Sequence, residues 1–192
     1  MLSVFLFHLQ PSLLPGGFLG VDVFFVISGY LISGIIVREN HLGTFSLTNF
    51  YGRRVKRIFP ALFVVLALAS VPATFLLTPE TYVRYMQSAR YASGQLSNFF
   101  FAQKVGYFEE GFSGQPLLHT WSLGVEEQFY LVWPLLLLLA VRFLPGRIVG
   151  ISILVLGIAS FALSYVWTTE LPEWAFFSPL TRAWELAAGA LI

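Results

Sequence analysis

The chain has 192 residues, 57% hydrophobic, 17% aromatic and only 11% charged, and its mean hydropathy is +0.75. A soluble domain carries about 25% charged residues to clothe its surface, so this composition excludes that class and makes lipid the main solvent. A net charge of +1 provides no global field for nucleic acid, and the lack of cysteine excludes disulfides, thiolate catalysis and Cys-ligated zinc.

Residues 1–10 are apolar except for Ser3, His8 and Gln10. They mimic the apolar part of a signal peptide but lack its basic start and small-residue cleavage site. A bilayer crossing takes about 20 residues, so the chain is expected to begin inside a first transmembrane helix. Pro11, Pro15, Gly16 and Gly17 predict a tight connection. A complete span is expected from Phe18 to Val37, with one carboxylate, Asp22, near its start. Within it, Gly29 and Ser33 lie one turn apart, together with Ser28 and Gly34. Such small residues allow close helix approach or line a substrate path, and spacing does not choose between the two. Arg38 to Asn49 reads as a polar loop. Phe50 to Arg57 predicts a short interfacial helix with Arg53, Arg54 and Arg57 on one face. With Lys56 these are four cations in five residues, which fits either the cytoplasmic end of a span or a site for a phosphate-rich ligand.

A third helix is expected from Ile58 to Thr78, with Pro60 in its first turn, where proline costs little. Thr81 to Tyr107 carries Arg84, Arg90 and Lys104 and predicts an amphipathic segment on the far face, followed by a loop at Glu109-Glu110-Gly111. The next span is expected from His119 to Val141, opening with HTWSLGVEEQFYLVWP and capped by Ser122. His119 and Glu126 would share a face, whereas Glu126 and Glu127 lie 100° apart. Two acids and Gln128 leading a membrane helix are costly unless they face a polar interior; the alternative is a place among headgroups, where the helix dipole favours carboxylates. Arg142 and Arg147 mark a second inner loop, Ile148 to Trp167 a further span, and Thr168 to Phe177 an acidic outer loop. Pro179 to Ile192, with Arg182 and Glu185 three apart, is too short to cross. The two inner loops hold seven of the eleven Lys and Arg residues. The expectation is an all-α polytopic transmembrane helix bundle with about four complete spans and two partial helices.

The catalytic inventory is small. The histidines are His8, His41 and His119, without the spacing of a metal site. There is no G-x-S-x-G elbow and no Walker loop. A lone histidine on an apolar helix is more often packed than catalytic. What remains is an imidazole, a carboxylate pair and a cationic cluster expected across the membrane from them.

Three ordered stretches, Gly20–Tyr30 (GVDVFFVISGY), Arg54–Pro60 (RVKRIFP) and Leu118–Pro134 (LHTWSLGVEEQFYLVWP), closely resemble the acyltransferase family 3 membrane proteins. The resemblance runs almost end to end. It implies an O-acyltransferase that moves an acyl group, acetyl foremost, from acyl-CoA to a hydroxyl of a cell-surface carbohydrate such as lipopolysaccharide or peptidoglycan. It further implies a multi-pass protein of the bacterial inner membrane, with residues 1–192 as one partial transmembrane domain. The partners it implies are acyl-CoA as donor substrate, a carbohydrate acceptor and the bilayer, with no bound cofactor, no metal and no nucleic acid. Some members append an SGNH-type domain. The family's first-helix histidine matches His8, although the arginine that precedes it by eleven residues would fall before Met1, so an inactive fragment is one expectation. Its FFxxSG motif maps to Phe24, Phe25, Ser28 and Gly29, its RxxR motif to Arg54 and Arg57, and its EEQ motif to Glu126, Glu127 and Gln128. Expected roles follow. His8 and Glu126 are catalytic candidates. Arg54, Arg57, Arg53 and Ser28 hold the donor, and His119 and Glu127 meet the acceptor. A non-enzymatic transporter lined by the same polar residues is the alternative.

Overall fold

A computed structural model of the chain describes residues 4, 6, 7, 10, 15–104 and 115–192. His8 and the expected loop at 109–111 lie outside the described residues. A 3-10 turn at Gly17–Leu19 leads into α1 (Gly20–His41), followed by α2 (Leu47–Leu76), α3 (Pro79–Ser93) and α4 (Ser97–Lys104). After them come α5 (Thr120–Phe143), α6 (Gly146–Glu170), α7 (Pro172–Phe177) and α8 (Pro179–Ala190). No strand occurs among the described residues. The helices that begin at Gly17, Leu47, Thr120 and Gly146 are long and apolar enough to cross a bilayer. The protein is an all-α, multi-pass membrane bundle.

Lipid replaces water outside such a bundle, so apolar side chains need not be buried. Phe63, Leu68, Val71 and Phe75 of α2 and Leu154, Ile158 and Phe161 of α6 all point outward. Polar backbone groups have no such freedom, and helices satisfy them internally. The interior is built around α1. Its closest neighbour is α8, which runs parallel to it. A Cβ at Gly29 would overlap the Leu186 carbonyl, and a Cβ at Gly189 would overlap backbone of Val26 and Tyr30. Each glycine thus admits the other helix's main chain. Close helix approach is therefore what Gly29 provides.

α2 differs from its expected form. A short interfacial helix and a separate span were anticipated; one helix of 30 residues runs through Pro60 and Pro72. Proline removes one helical hydrogen bond and crowds the carbonyl four residues back, but membrane helices tolerate this. The first turns of α2 are also held from outside. Phe50 is buried, and Tyr51 donates its hydroxyl to the Leu131 carbonyl of α5 at 2.8 Å. The Ser46 hydroxyl accepts from the Asn49 N–H at the helix start.

The segment expected to be amphipathic divides in two at Gln95, whose φ is +57°. α3 lies with Tyr85 buried against the Leu62–Leu66 face of α2, its hydroxyl 2.9 Å from Ser70 Oγ. α4 is instead interior: Asn98, Phe100 and Phe101 are all buried. Phe101 packs with Phe25, Trp121, Val125, Phe177 and Leu186. Five apolar or aromatic neighbours from four other helices outweigh the polarity that the sequence shows there. The expected outer loop at Thr168–Phe177 is also ordered, as the end of α6 and the short α7.

Candidate functional site

α5 starts at Thr120, three residues earlier than a Ser122 cap would require; Ser122 Oγ instead donates to the His119 carbonyl at 3.2 Å. This start places Glu126 in the second turn, facing α1. Glu126 is 5% exposed. Ser28 Oγ donates to its Oε1 at 2.6 Å. The Tyr130 hydroxyl, one turn further along α5, is hydrogen-bonded to the same Glu126 oxygen and lies 3.2 Å from Ser28 Oγ. A carboxylate, a serine and a phenol therefore share one buried triangle between two helices. Lower on the same seam, the Trp133 indole N–H donates to Ser33 Oγ at 2.8 Å. Both serines of α1 are engaged by α5 side chains.

The cations do not lie across the membrane from the carboxylates. The Arg54 guanidinium sits 4.6 Å from the centroid of the Tyr130 ring and 5.3 Å from that of Phe50. Because Tyr130 also touches Glu126, Arg54 belongs to the same site. Arg54 and Arg57 are close enough for their charges to act on both Glu126 and Glu127. The expectation of separation failed because the unbroken α2 carries its basic turn past α5, and a long arginine stem reaches inward while its aliphatic part covers apolar surface. Arg53 points elsewhere. Its Nη2 bonds both oxygens of Glu39, at 3.0 and 3.2 Å, on an exposed surface.

Glu127, 100° round the helix from Glu126, is half-buried, and its Oε1 is buried with no hydrogen-bond partner among the described residues. His119 is exposed just before α5, about 10 Å along the axis from Glu126 at 1.5 Å per residue. Gln128 has a structural place. Its Nε2 donates to the Gln95 carbonyl and to Asn98 Oδ1, both at 2.8 Å, while Gly124 leaves room for Asn98 Oδ1 beside the helix. Asn98 in turn donates to the Phe177 carbonyl at 3.2 Å. This amide lattice joins α4, α5 and α7. Tyr130 is the residue of this cluster that the sequence analysis did not single out, although its position one turn after Glu126 was a usable signal.

A second polar cluster lies toward the starts of α1 and α8. Arg182 Nη1 donates to Asp22 Oδ1 at 3.2 Å and to Glu185 Oε1 at 3.0 Å, and its Nε donates to the Phe176 carbonyl at 3.0 Å. The rings of Phe176 and Trp121, packed on each other, lie on one side of the guanidinium, at 4.8 and 5.9 Å. Among the described residues, no group of three or more acidic or histidine side chains converges as a metal site would require.

Comparison with known proteins follows this geometry. The sequence model of an acyltransferase domain matches residues 1–192. The O-acetyltransferase OatA of Staphylococcus aureus (strain NCTC 8325 / PS 47) is 37% identical over 199 residues, covering 100% of this chain and 32% of the relative. A protein of Staphylococcus aureus strain COL, whose name gives O-acetyltransferase as a provisional assignment, is 42% identical over 172 residues, 85% of this chain and 28% of the relative. An uncharacterized Haemophilus influenzae protein is 42% identical over 147 residues, covering 76% of this chain and 60% of the relative. The chain thus spans about a third or less of the staphylococcal relatives. No solved structure matches the chain significantly.

Proposed function

The chain belongs to the acyltransferase family, and from that premise we propose that it forms part of a membrane site transferring an acetyl group from acetyl-CoA to a hydroxyl of a cell-surface carbohydrate. The observation that carries this reading is the stacking of Arg54 on Tyr130, whose hydroxyl meets Glu126 and Ser28. Acyl-CoA is a thioester at one end and an array of phosphates at the other. Guanidinium groups match phosphate oxygens in paired hydrogen bonds, and Arg54 and Arg57 supply two of them. Arg57 is exposed and Arg54 half-buried, an order that suits a ligand entering from the basic surface. Arg53, tied to Glu39, has a lesser part.

In the transfer, the acceptor oxygen bonds to the acyl carbon, the carbon–sulfur bond breaks, and the hydroxyl proton ends on the departing thiol. A sugar hydroxyl is a poor nucleophile at neutral pH, and a positioned base that takes its proton accelerates attack. His8 is the proposed base; a route in which it first carries the acyl group itself is the other form of the same chemistry. Glu126 orients the polar partners. Held by two hydroxyl groups and faced by Arg54 and Arg57, it keeps a fixed direction inside a low-dielectric interior, where preorganised groups act most strongly. Glu127 and His119 are proposed to meet the acceptor. A transporter reading gains nothing from the geometry, because Ser28 and Ser33 are engaged across a helix seam.

The test is radiolabelled acetyl transfer to envelope glycans in cells that express the gene product carrying this chain. Its His8→Ala form and the chain alone run in parallel. Transfer that depends on His8 supports the reading. Equal transfer without the imidazole overturns the role of His8, and no transfer by any well-expressed form overturns the function.

A further inference from the structure

The Asp22–Arg182–Glu185 cluster takes no part in the transfer chemistry described above, yet its composition is costly for a membrane bundle. Two carboxyl groups share one guanidinium nitrogen, so by formal count the cluster has one more acid than base. Glu185 is 0% exposed, and its Oε2 is buried without a hydrogen-bond partner among the described residues. An unpaired buried acceptor of this kind is costly, and more so when charged. Toward the surface the cluster opens, with the side chain of Asp22 29% exposed and that of Arg182 15% exposed. Arg182 Nη2 has no hydrogen bond to a described residue, since Nε and Nη1 make all three of its bonds. Phe176 and Trp121, whose ring centroids are 4.7 Å apart, lie together on one side of the guanidinium, so the groups left to a ligand are the Arg182 Nη2 edge and the part-exposed Asp22 carboxylate.

We infer that this cluster is a hydroxyl-binding subsite for the carbohydrate acceptor; the inference rests on the transferase reading given above. The groups open to a ligand are the second Asp22 oxygen, an acceptor, and the Arg182 Nη2 edge, a donor, which together complement a neutral polyol, while the buried Glu185 behind them holds Arg182 in place. The one guanidinium here is already taken by two carboxyl groups, so it offers the donor's phosphate-rich end less than Arg54 and Arg57 do. The position also fits. Asp22 precedes Ser28 by six residues, about 9 Å along α1 at 1.5 Å per residue, a distance that a sugar unit and its linkage can bridge. Positive charge concentrates at the other end of α1, where Arg38 ends the helix and Arg53 pairs with Glu39. The cluster therefore lies toward the extracytoplasmic face, the side from which a surface glycan arrives.

The experiment titrates isolated envelope glycan against labelled acetyl transfer by the gene product carrying this chain. It compares the wild type with Asp22→Asn and Glu185→Gln, and with Asp22→Glu as a variant that retains the charge. Acetyl-CoA affinity serves as the check on folding. The expected result is a half-saturating glycan concentration raised about tenfold or more in the two amide variants, partly restored in Asp22→Glu, with acetyl-CoA affinity within about twofold of wild type. A glycan half-saturation that does not move, or a fall in maximal rate alone, overturns the subsite and leaves the transferase reading intact. Absence of transfer by the wild type overturns both.

Discussion

Two polar clusters share helix α1, and they are opposites. At Ser28, two acids on α5 meet two arginines from α2, with Lys56 and Arg53 close behind in sequence. At Asp22, two acids meet one arginine from α8. By formal count the first cluster is balanced and grades outward into positive charge, whereas the second has one acid more than base and an unpaired oxygen. Both are buried polar groups in a lipid-solvated bundle, where ionisable side chains are expensive and signal function. On the proposed function, the difference would sort ligands by sign: the anionic donor to the cluster that holds Glu126, the neutral acceptor to the other.

The largest expected effect comes from removing what both clusters depend on. Gly189→Val forces α8 from the backbone of Val26 and Tyr30. We expect a loss of about 3 kcal/mol from overpacking, read as a lower unfolding temperature in detergent, and failure of both sites together. Glu126→Gln keeps the shape of the first cluster but removes the charge from its centre; transfer should fall about 100-fold with folding and the second cluster intact. Tyr130→Phe sharpens the comparison within that cluster. It deletes the hydroxyl bonded to Ser28 and Glu126 while keeping the ring under Arg54, so transfer should fall about tenfold and acetyl-CoA affinity should hold. Tyr130→Leu should weaken acetyl-CoA binding as well, by the cation–π contribution of about 0.5–2 kcal/mol. The smallest effect is expected from Arg53→Ala. Its exposed pair with Glu39 is worth about 0–1 kcal/mol, and isothermal titration should find acetyl-CoA affinity nearly unchanged, against a clear loss in Arg54→Ala.

Much of this was legible in the chain. Apolar runs of spanning length placed α1, α5 and α6 close to their observed bounds, and of the two places the sequence left open for the acids near the start of α5, Glu126 takes the polar interior beside Ser28. What could not be read is non-local. Asp22 and Arg182 are 160 residues apart in sequence, and no periodicity links them; the parallel crossing of α1 and α8 does. Nor does the sequence show that α2 runs on through Pro60. Proline followed by an apolar run is the pattern of a helix start, and only the anchoring of Phe50 and Tyr51 against the bundle keeps the earlier turns in line. That continuity moves Arg54 from an expected surface cluster into the site.

The central claim is that Arg54 and Glu126 act as one site, and a double-mutant cycle on labelled acetyl transfer tests it most directly. Arg54→Lys, Glu126→Gln and the double variant are compared with wild type under matched expression. Groups that share a network couple by about 0.5–3 kcal/mol, whereas distant ones add. Shared placement predicts that the double variant loses clearly less than the product of the two single losses. Losses that multiply without coupling would place the arginine and the glutamate in separate sites and contradict the account.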